Sequence, residues 1–457
     1  MKDKNIVFIV AALVLTLIAC SFQLYYDNTH IFVENAVYEK SLTTLDLRGT
    51  GVSMDHILQV QSQLPECEVT WELPFQGGFL AQDTARLRVT SLSDADVDAL
   101  DHLSSLQYVD ATDCRDYPQI RELMQRRPEC QVAYRVQLGD ALYAPGTQKL
   151  SLQDGDGEEL LERLQYLPKL KVVHIEKPTM PVQMLLELVE KYPDIAFSWN
   201  VEILGNVYPS DTTAIDLSGT PLDGIEELEE ALVYLPQLEL LELHHCGVDY
   251  DVLAEYRERQ ADNYKVVWTV WLDWNNYIRT DETTFMPYKT FRGDLTDKSI
   301  VNLKYCNEII CVDVGHYRIT HCDWAAYMPH LKYLIVADTK IRSIEGIRGL
   351  EELVYLETFT TPLKDYSPLL DVPNLKDLNA ANSGADIEIL VQLTSLERLW
   401  WSGTPCSSIT PDERQRLKQA IPKCRFQFDI ENSTSHGWRQ GKLYYEMRDV
   451  LEMPYFA

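Results

Sequence analysis

The sequence predicts an α/β solenoid, with a parallel sheet on a concave face and helices or irregular arcs on the convex face. Three observations predict it. First, apolar anchors recur at a fixed step: Ile309, Leu331, Leu353, Leu375 and Leu396 lie 22, 22, 22 and 21 residues apart. Each opens an apolar-x-x-apolar pattern, completed by Val312, Leu334, Leu356, Leu378 and Leu399, and Val314, Val336 and Trp401 add a third apolar position. Second, short leucine and β-branched stretches alternate with polar residues as strands do, while 54–64, 158–167, 182–192 and 224–235 carry helical spacing. Prolines at 65, 128, 168, 193, 236 and 422 stop these helices ahead of the next strand. Third, a longer unit is superimposed. Pro65 to Trp71, Pro128 to Tyr134 and Pro193 to Trp199 share one pattern, and Val266-Val267-Trp268 is its degenerate copy. The pattern returns after 63, 65 and about 71 residues, a triplet of about 64 enlarged by tandem duplication.

The L-x-x-L-x-L pattern at this period resembles the leucine-rich repeat family, specifically over 309–402 and more loosely over 42–430. The resemblance implies an extended concave surface of the kind used for binding. It carries no catalytic residue. The family's ninth-position asparagine is replaced by Thr339, Thr361, Ser383 and Thr404, whose hydroxyls retain the capacity to bond turn backbone.

Domain boundaries follow the periodicity. Residues 1–26 form a membrane or export signal, 27–41 a spacer or N-terminal cap, and 42–274 irregular repeats in triplets. Residues 275–300 lose the leucine pattern and read as a degenerate repeat or bend, 301–430 are regular 22-residue repeats, and 431–457 form a C-terminal cap over the last open repeat. Gly437-Trp438-Arg439 leads there into an amphipathic helix carrying Tyr444, Tyr445, Met447, Val450 and Leu451. In the long third-class strand, Val266, Trp268, Val270, Leu272 and Trp274 alternate onto one face.

At the N-terminus, Lys2 and Lys4 precede an apolar run from Ile6 to Cys20, which orients the N-terminus to the cytoplasm and exports the remainder. Two fates stay open. Extended to Tyr25 and Tyr26, the run is about 20 residues, long enough for a signal anchor. Leu17-Ile18-Ala19-Cys20 also resembles a bacterial lipobox, with Cys20 the lipidated residue. Either way the protein is membrane-attached and extracytoplasmic; cleavage and secretion is the third outcome.

Composition narrows the partners. The net charge of −29 and a pI near 4.7 repel nucleic acid and anionic lipid. No H-E-x-x-H, G-x-S-x-G, Walker loop, dinucleotide fingerprint or C-x-x-C occurs, so no enzyme class, cofactor or metal is implied. His244-His245 read as surface histidines, and a metal site of His316 and His321 with Cys311 and Cys322 would need four converging ligands. The acidic stretch 154–159 lacks an EF-hand's ligand positions and reads as a turn capping a helix. Of ten cysteines, Cys67, Cys130 and Cys424 share one repeat position, and Cys114 and Cys246 another, as small buried hydrophobes do. Pairing of Cys311 with Cys306 or Cys322 is the alternative.

The candidate binding residues lie on the regular sheet. Leucines face inward and the residues flanking them face outward. One outward column holds Asp313, Ile335, Glu357, Asn379 and Trp400, a second Cys311, Tyr333, Tyr355, Asp377 and Arg398, a third Gly315, Ala337, Phe359, Ala381 and Ser402. Tyr333, Tyr355, Phe359 and Trp400 become exposed aromatics beside Glu357, Asp377, Asn379 and Arg398, a composition suited to a protein or glycan ligand. A one-residue slip instead buries Trp400 and exposes Trp401.

Overall fold

The computed structural model describes residues 2–287, 295–402, 409–428 and 434–454. They divide into two compact units, Met1–Asn200 and Val201–Ala457.

The first unit opens with the 28-residue helix Lys2–Thr29. Its portion Val10–Thr29 is 20 residues long, apolar and unburied. At about 1.5 Å per residue it reaches about 30 Å, the thickness of a bilayer's hydrocarbon core. Thr16 returns its hydroxyl to the Ala12 carbonyl at 2.8 Å, which satisfies the one polar group in mid-run.

Parallel strands and antiparallel hairpins then alternate. Thr44–Asp46 pairs with Glu68–Thr70. Arg86–Arg88, Tyr108–Ala111 and Gln131–Tyr134 form a parallel sheet, and Lys149–Leu152, Val172–Ile175 and the start of Ala196–Ile203 form another. Helices Met54–Gln63, Asp94–Leu100, Tyr117–Arg126, Gly157–Arg163 and Val182–Lys191 return the chain between strands. Ser53 and the Ser93/Asp96 capping box start two of them. Within the acidic stretch, Asp156 caps Gly157–Arg163 through the Glu159 amide at 3.0 Å. Asp154 binds the amide and hydroxyl of Thr179 at 3.0 and 2.5 Å.

One third-class segment, Ala196–Ile203, runs as a single long strand, and the others break in two. After its parallel pairing the chain turns back in a hairpin, Glu72–Phe75 with Gly78–Ala81 and Val136–Leu138 with Ala141–Tyr143. Gln76 and Gly77 take φ of 48° and 77°, the positive pair that lets a two-residue turn follow strand twist.

In the second unit the same order continues. Ala214–Asp216, Leu240–Glu242 and Lys265–Val267 are parallel, and Thr269–Trp271 pairs back with Tyr277–Arg279. The alternation of this segment ends earlier than the sequence predicts. Val266, Trp268, Val270 and Leu272 are buried, but Trp274 is 73% exposed because the chain has already turned. Residues 275–300, the expected bend, fall partly outside the described residues.

A seven-stranded parallel sheet follows: Thr284–Phe285, Cys311–Asp313, Tyr333–Ile335, Tyr355–Glu357, Asp377–Asn379, Arg398–Trp400 and Arg425–Gln427. The register is in step throughout, Val312 to Leu334 to Leu356 to Leu378 to Leu399. Those five residues are wholly buried and form the inward ladder. A 22-residue rung leaves little chain for a return path, so most returns tighten to 3-10 turns: Val301–Tyr305, Asp323–Tyr327, Glu345–Ile347 and Ser367–Asp371. After each strand one residue takes a left-handed φ: His316 at 70°, Asp338 at 53°, Thr360 at 56° and Asn382 at 52°. The next hydroxyl closes the turn, Thr339 onto the Val336 carbonyl at 2.7 Å, Thr361 onto Thr358 at 2.7 Å and Ser383 onto Ala380 at 2.8 Å. Thr404 lies outside the described residues.

The cysteines behave as small apolar groups. Cys114, Cys130, Cys246, Cys306, Cys311, Cys322 and Cys424 are buried and free, Cys67 is half-buried and free, and Cys20 is exposed on the first helix. Cys311 is therefore bonded to neither Cys306 nor Cys322. Burial raises the Cys306, Cys322 and Cys424 thiols to about 12, which keeps them protonated.

Candidate functional site

The register places the outward columns where strand alternation put them. Tyr333, Tyr355, Asp377 and Arg398 are successive partners, as are Ile335, Glu357, Asn379 and Trp400. Facing outward does not leave them exposed. Tyr355, Asn379 and Trp400 have no accessible surface, Tyr333, Glu357 and Asp377 are buried, and Phe359 and Arg398 are half-buried. The expected exposed aromatic surface is thus corrected. The slip alternative fails as well, since Trp400 and Trp401 are both buried.

The cover is the chain's own C-terminus. The 3-10 turn Trp438–Gln440 and the helix Lys442–Val450 lie on this face of the sheet. Trp438, Tyr444 and Met447 join Cys311, Tyr333, Ile335, Ala337, Tyr355 and Trp400 in one buried cluster. The segment reaches from the Cys311 strand to the Trp400 strand. The helix is amphipathic because Tyr444, Met447 and Leu451 fall three and four residues apart and share one side.

Polar contacts fix its position. Trp438 donates its indole N–H to Glu357 Oε1 at 2.7 Å, and the Tyr355 hydroxyl donates to the same oxygen. Trp400 donates its indole N–H to the Ser435 carbonyl at 3.0 Å. The Arg398 guanidinium bonds Asp377 at 2.5 and 2.9 Å and the Trp438 carbonyl at 3.0 Å. It also sits 4.5 Å from the centre of the Trp438 ring, and that ring packs 5.1 Å from Trp400 and 5.4 Å from Tyr355. Gly437 takes φ 86°, which admits the turn before Trp438. At Gly441 a Cβ would lie 1.9 Å from the Arg398 guanidinium, so only glycine fits while Arg398 keeps its partners.

Burial sets the electrostatics. It raises the Glu357 carboxyl above the usual carboxylate range, against the bonds from Tyr355 and Trp438 that lower it. It also raises Asp377, against Arg398. Tyr333 is raised to about 12 by burial and by Glu446, which its hydroxyl meets at 3.4 Å. The sequence alone did not link Trp438, Gly441 and Glu446 to this face. The available signal was an apolar helix stripe following a sheet whose outward columns are aromatic. Among the described residues no group of histidine, cysteine and carboxylate side chains could hold a metal.

No family model matches the chain, and no curated protein matches it. Solved structures similar to it include two internalins and a leucine-rich repeat protein. An internalin C2 from Listeria monocytogenes is 18% identical over 34% of this chain and 76% of its own, with a TM-score of 0.25. An internalin (inlF) from the same organism is 15% identical over 87% and 90%, with a TM-score of 0.26. The Leptospira interrogans LRR protein LIC12759 is 15% identical over 74% and 93%, with a TM-score of 0.29. The chain's own strand register and 22-residue rungs make it an α/β repeat protein.

Proposed function

We propose that this chain is a membrane-anchored, extracytoplasmic leucine-rich repeat solenoid that binds a protein or glycan partner through its sheet. Tyr333, Tyr355, Glu357, Phe359, Asp377, Asn379, Arg398 and Trp400 are the contact residues, and residues 434–451 occupy them until a partner displaces that segment. The observation that carries this reading is the resident segment. A face that seats a tryptophan between Tyr355 and Trp400, bonds its N–H to Glu357 and holds its carbonyl with Arg398 is chemically equipped to grip polypeptide. The unburied helix Val10–Thr29 supports attachment to a membrane.

The test uses the full chain carrying Trp438→Asp, which unseats the segment by burying a charge beside Glu357. A fluorescent peptide of residues 434–454 is expected to bind this variant saturably and to leave the wild type unlabelled. If the peptide binds neither while the variant's helix and sheet content is unchanged, the face is structural only. The full burial of Tyr355 and Trp400 favours that second reading, in which the protein is an envelope scaffold assembling through its acidic surface. Concentration-dependent self-association across salt, followed by light scattering, would then be seen.

A further inference from the structure

The hairpin of Thr269–Trp271 with Tyr277–Arg279 differs from its counterparts in its turn. The earlier ones close through two residues, as at Gln76–Gly77, whereas this one runs through Leu272 to Asn276. The longer turn is braced by hydrogen bonds. The Asp273 carboxylate accepts from the amides of Asn275 and Asn276 at 2.8 and 2.7 Å and from the Asn276 side chain at 2.7 Å. Leu272 and Asp273 donate their amides to the Asn276 carbonyl at 2.9 and 3.2 Å. Three aromatic side chains are held out by this frame: Trp274 73% exposed, Tyr277 60% and Trp271 39%. Trp271 and Tyr277 are cross-strand partners on one face, their rings 4.9 Å apart. His245 flanks Trp271 at 5.9 Å. Beside them is a cleft of about 410 Å³, whose wall includes Tyr277, Asn275, Arg279 and Glu282. That is within the size range of small-ligand sites.

We propose that this hairpin tip and its cleft bind an uncharged oligosaccharide. Exposing two indoles and a phenol on a braced turn is costly in water unless a ligand covers them. A sugar ring fits because its C–H face is apolar and its edge is hydroxylated. The rings supply stacking surface, and Asn275 and Glu282 supply a donor and acceptors at the rim. Charge selects against anionic sugars. Arg279 is already neutralised by Asp281 at 3.0 Å and Glu242 at 2.8 Å, which leaves Asp273 and Glu282 to make the rim acidic. The aromatic hairpin tip lies apart from the sheet face of residues 311–402, although Leu451 of the covering segment also lines the cleft, so the Trp274→Ala and Tyr277→Ala arms test the tip without touching that face.

The test is calorimetric titration of the full chain, in a polyoxyethylene detergent that carries no sugar, with hexamers of glucose, of N-acetylglucosamine and of galacturonate. Saturable binding of at least one neutral hexamer is expected, with the galacturonate hexamer at least tenfold weaker. Trp274→Ala and Tyr277→Ala should each weaken binding at least tenfold without moving the unfolding midpoint, and Tyr327→Ala, an exposed ring elsewhere in the unit, should leave it unchanged. The proposal is overturned if neither neutral hexamer saturates the wild type, if Trp274→Ala binds as tightly as wild type, or if the charged hexamer binds as well as the neutral ones.

Discussion

Glu357 shows how a single side chain joins the repeat to the segment that covers it. Its carboxyl is buried among Tyr355, Trp438 and, further off, Asp313 and Arg439, and burial raises it. A raised folded-state carboxyl contributes stability that is complete below the unfolded glutamate value of about 4.3 and is lost as pH climbs through the folded value. Asp377, raised for the same reason, has the same sign. Glu357→Gln keeps an acceptor for the Trp438 N–H and cannot ionise. Its melting temperature should fall less than the wild type's between pH 5 and 8; parallel profiles would remove Glu357 from the account. Arg398→Ala is the harsher change. It leaves Asp377 buried without its cation, at a cost of about 3–5 kcal/mol, and adding Asp377→Asn should recover part of it in denaturant titrations. Sequence reading found both residues because strand alternation assigns a face. It missed their burial because alternation is local, while the cover arrives from 35 or more residues downstream.

Among the elements, the C-terminal helix Lys442–Val450 packs on the sheet face, a place its sequence does not specify. Its amphipathic stripe was legible from Tyr444, Met447 and Leu451, and stripes say only that a helix is covered, not by what. A cap over the open end and a cover across the sheet face share one pattern. Met447→Asp places a charge in the cluster of Tyr333, Tyr355 and Trp438. Amide exchange in 438–450 should accelerate at least tenfold in that variant, while the strands Tyr333–Ile335 and Asp377–Asn379 stay protected by their parallel partners. Exchange that accelerates equally across the whole second unit would mean that helix and sheet unfold as one. The hairpins were hidden for a different reason. Val266 to Trp274 alternates perfectly well as one long strand, and its reversal depends on Asp273 bonding Asn275 and Asn276, which spacing does not encode.

At the scale of the whole chain, the repeat period was the readable quantity, because neighbouring rungs bury one another's leucines and each must present them at the same step. The division at Asn200 was not readable; the triplet pattern passes through it unchanged. The net charge of −29 and the unburied helix at the N-terminus make a prediction about location. The full-length protein should stay with membranes through alkaline carbonate extraction, and its intact mass should show an uncleaved N-terminus. A mass reduced by the first 19 residues and raised by acyl chains on Cys20 would replace the anchor with a lipid; release into the carbonate supernatant would discard both.

The bond between Trp438 and Glu357 has a consequence for how the molecule can grow. It ties positions 81 residues apart across three further rungs, so it measures the array like a caliper with fixed jaws. Duplicating a rung between residues 357 and 425 would carry the tail past its anchor by about one strand spacing, roughly 4.8 Å, and unseat it. Duplicating a triplet upstream leaves the caliper undisturbed. Lengthening by upstream triplets is therefore the change this bond tolerates.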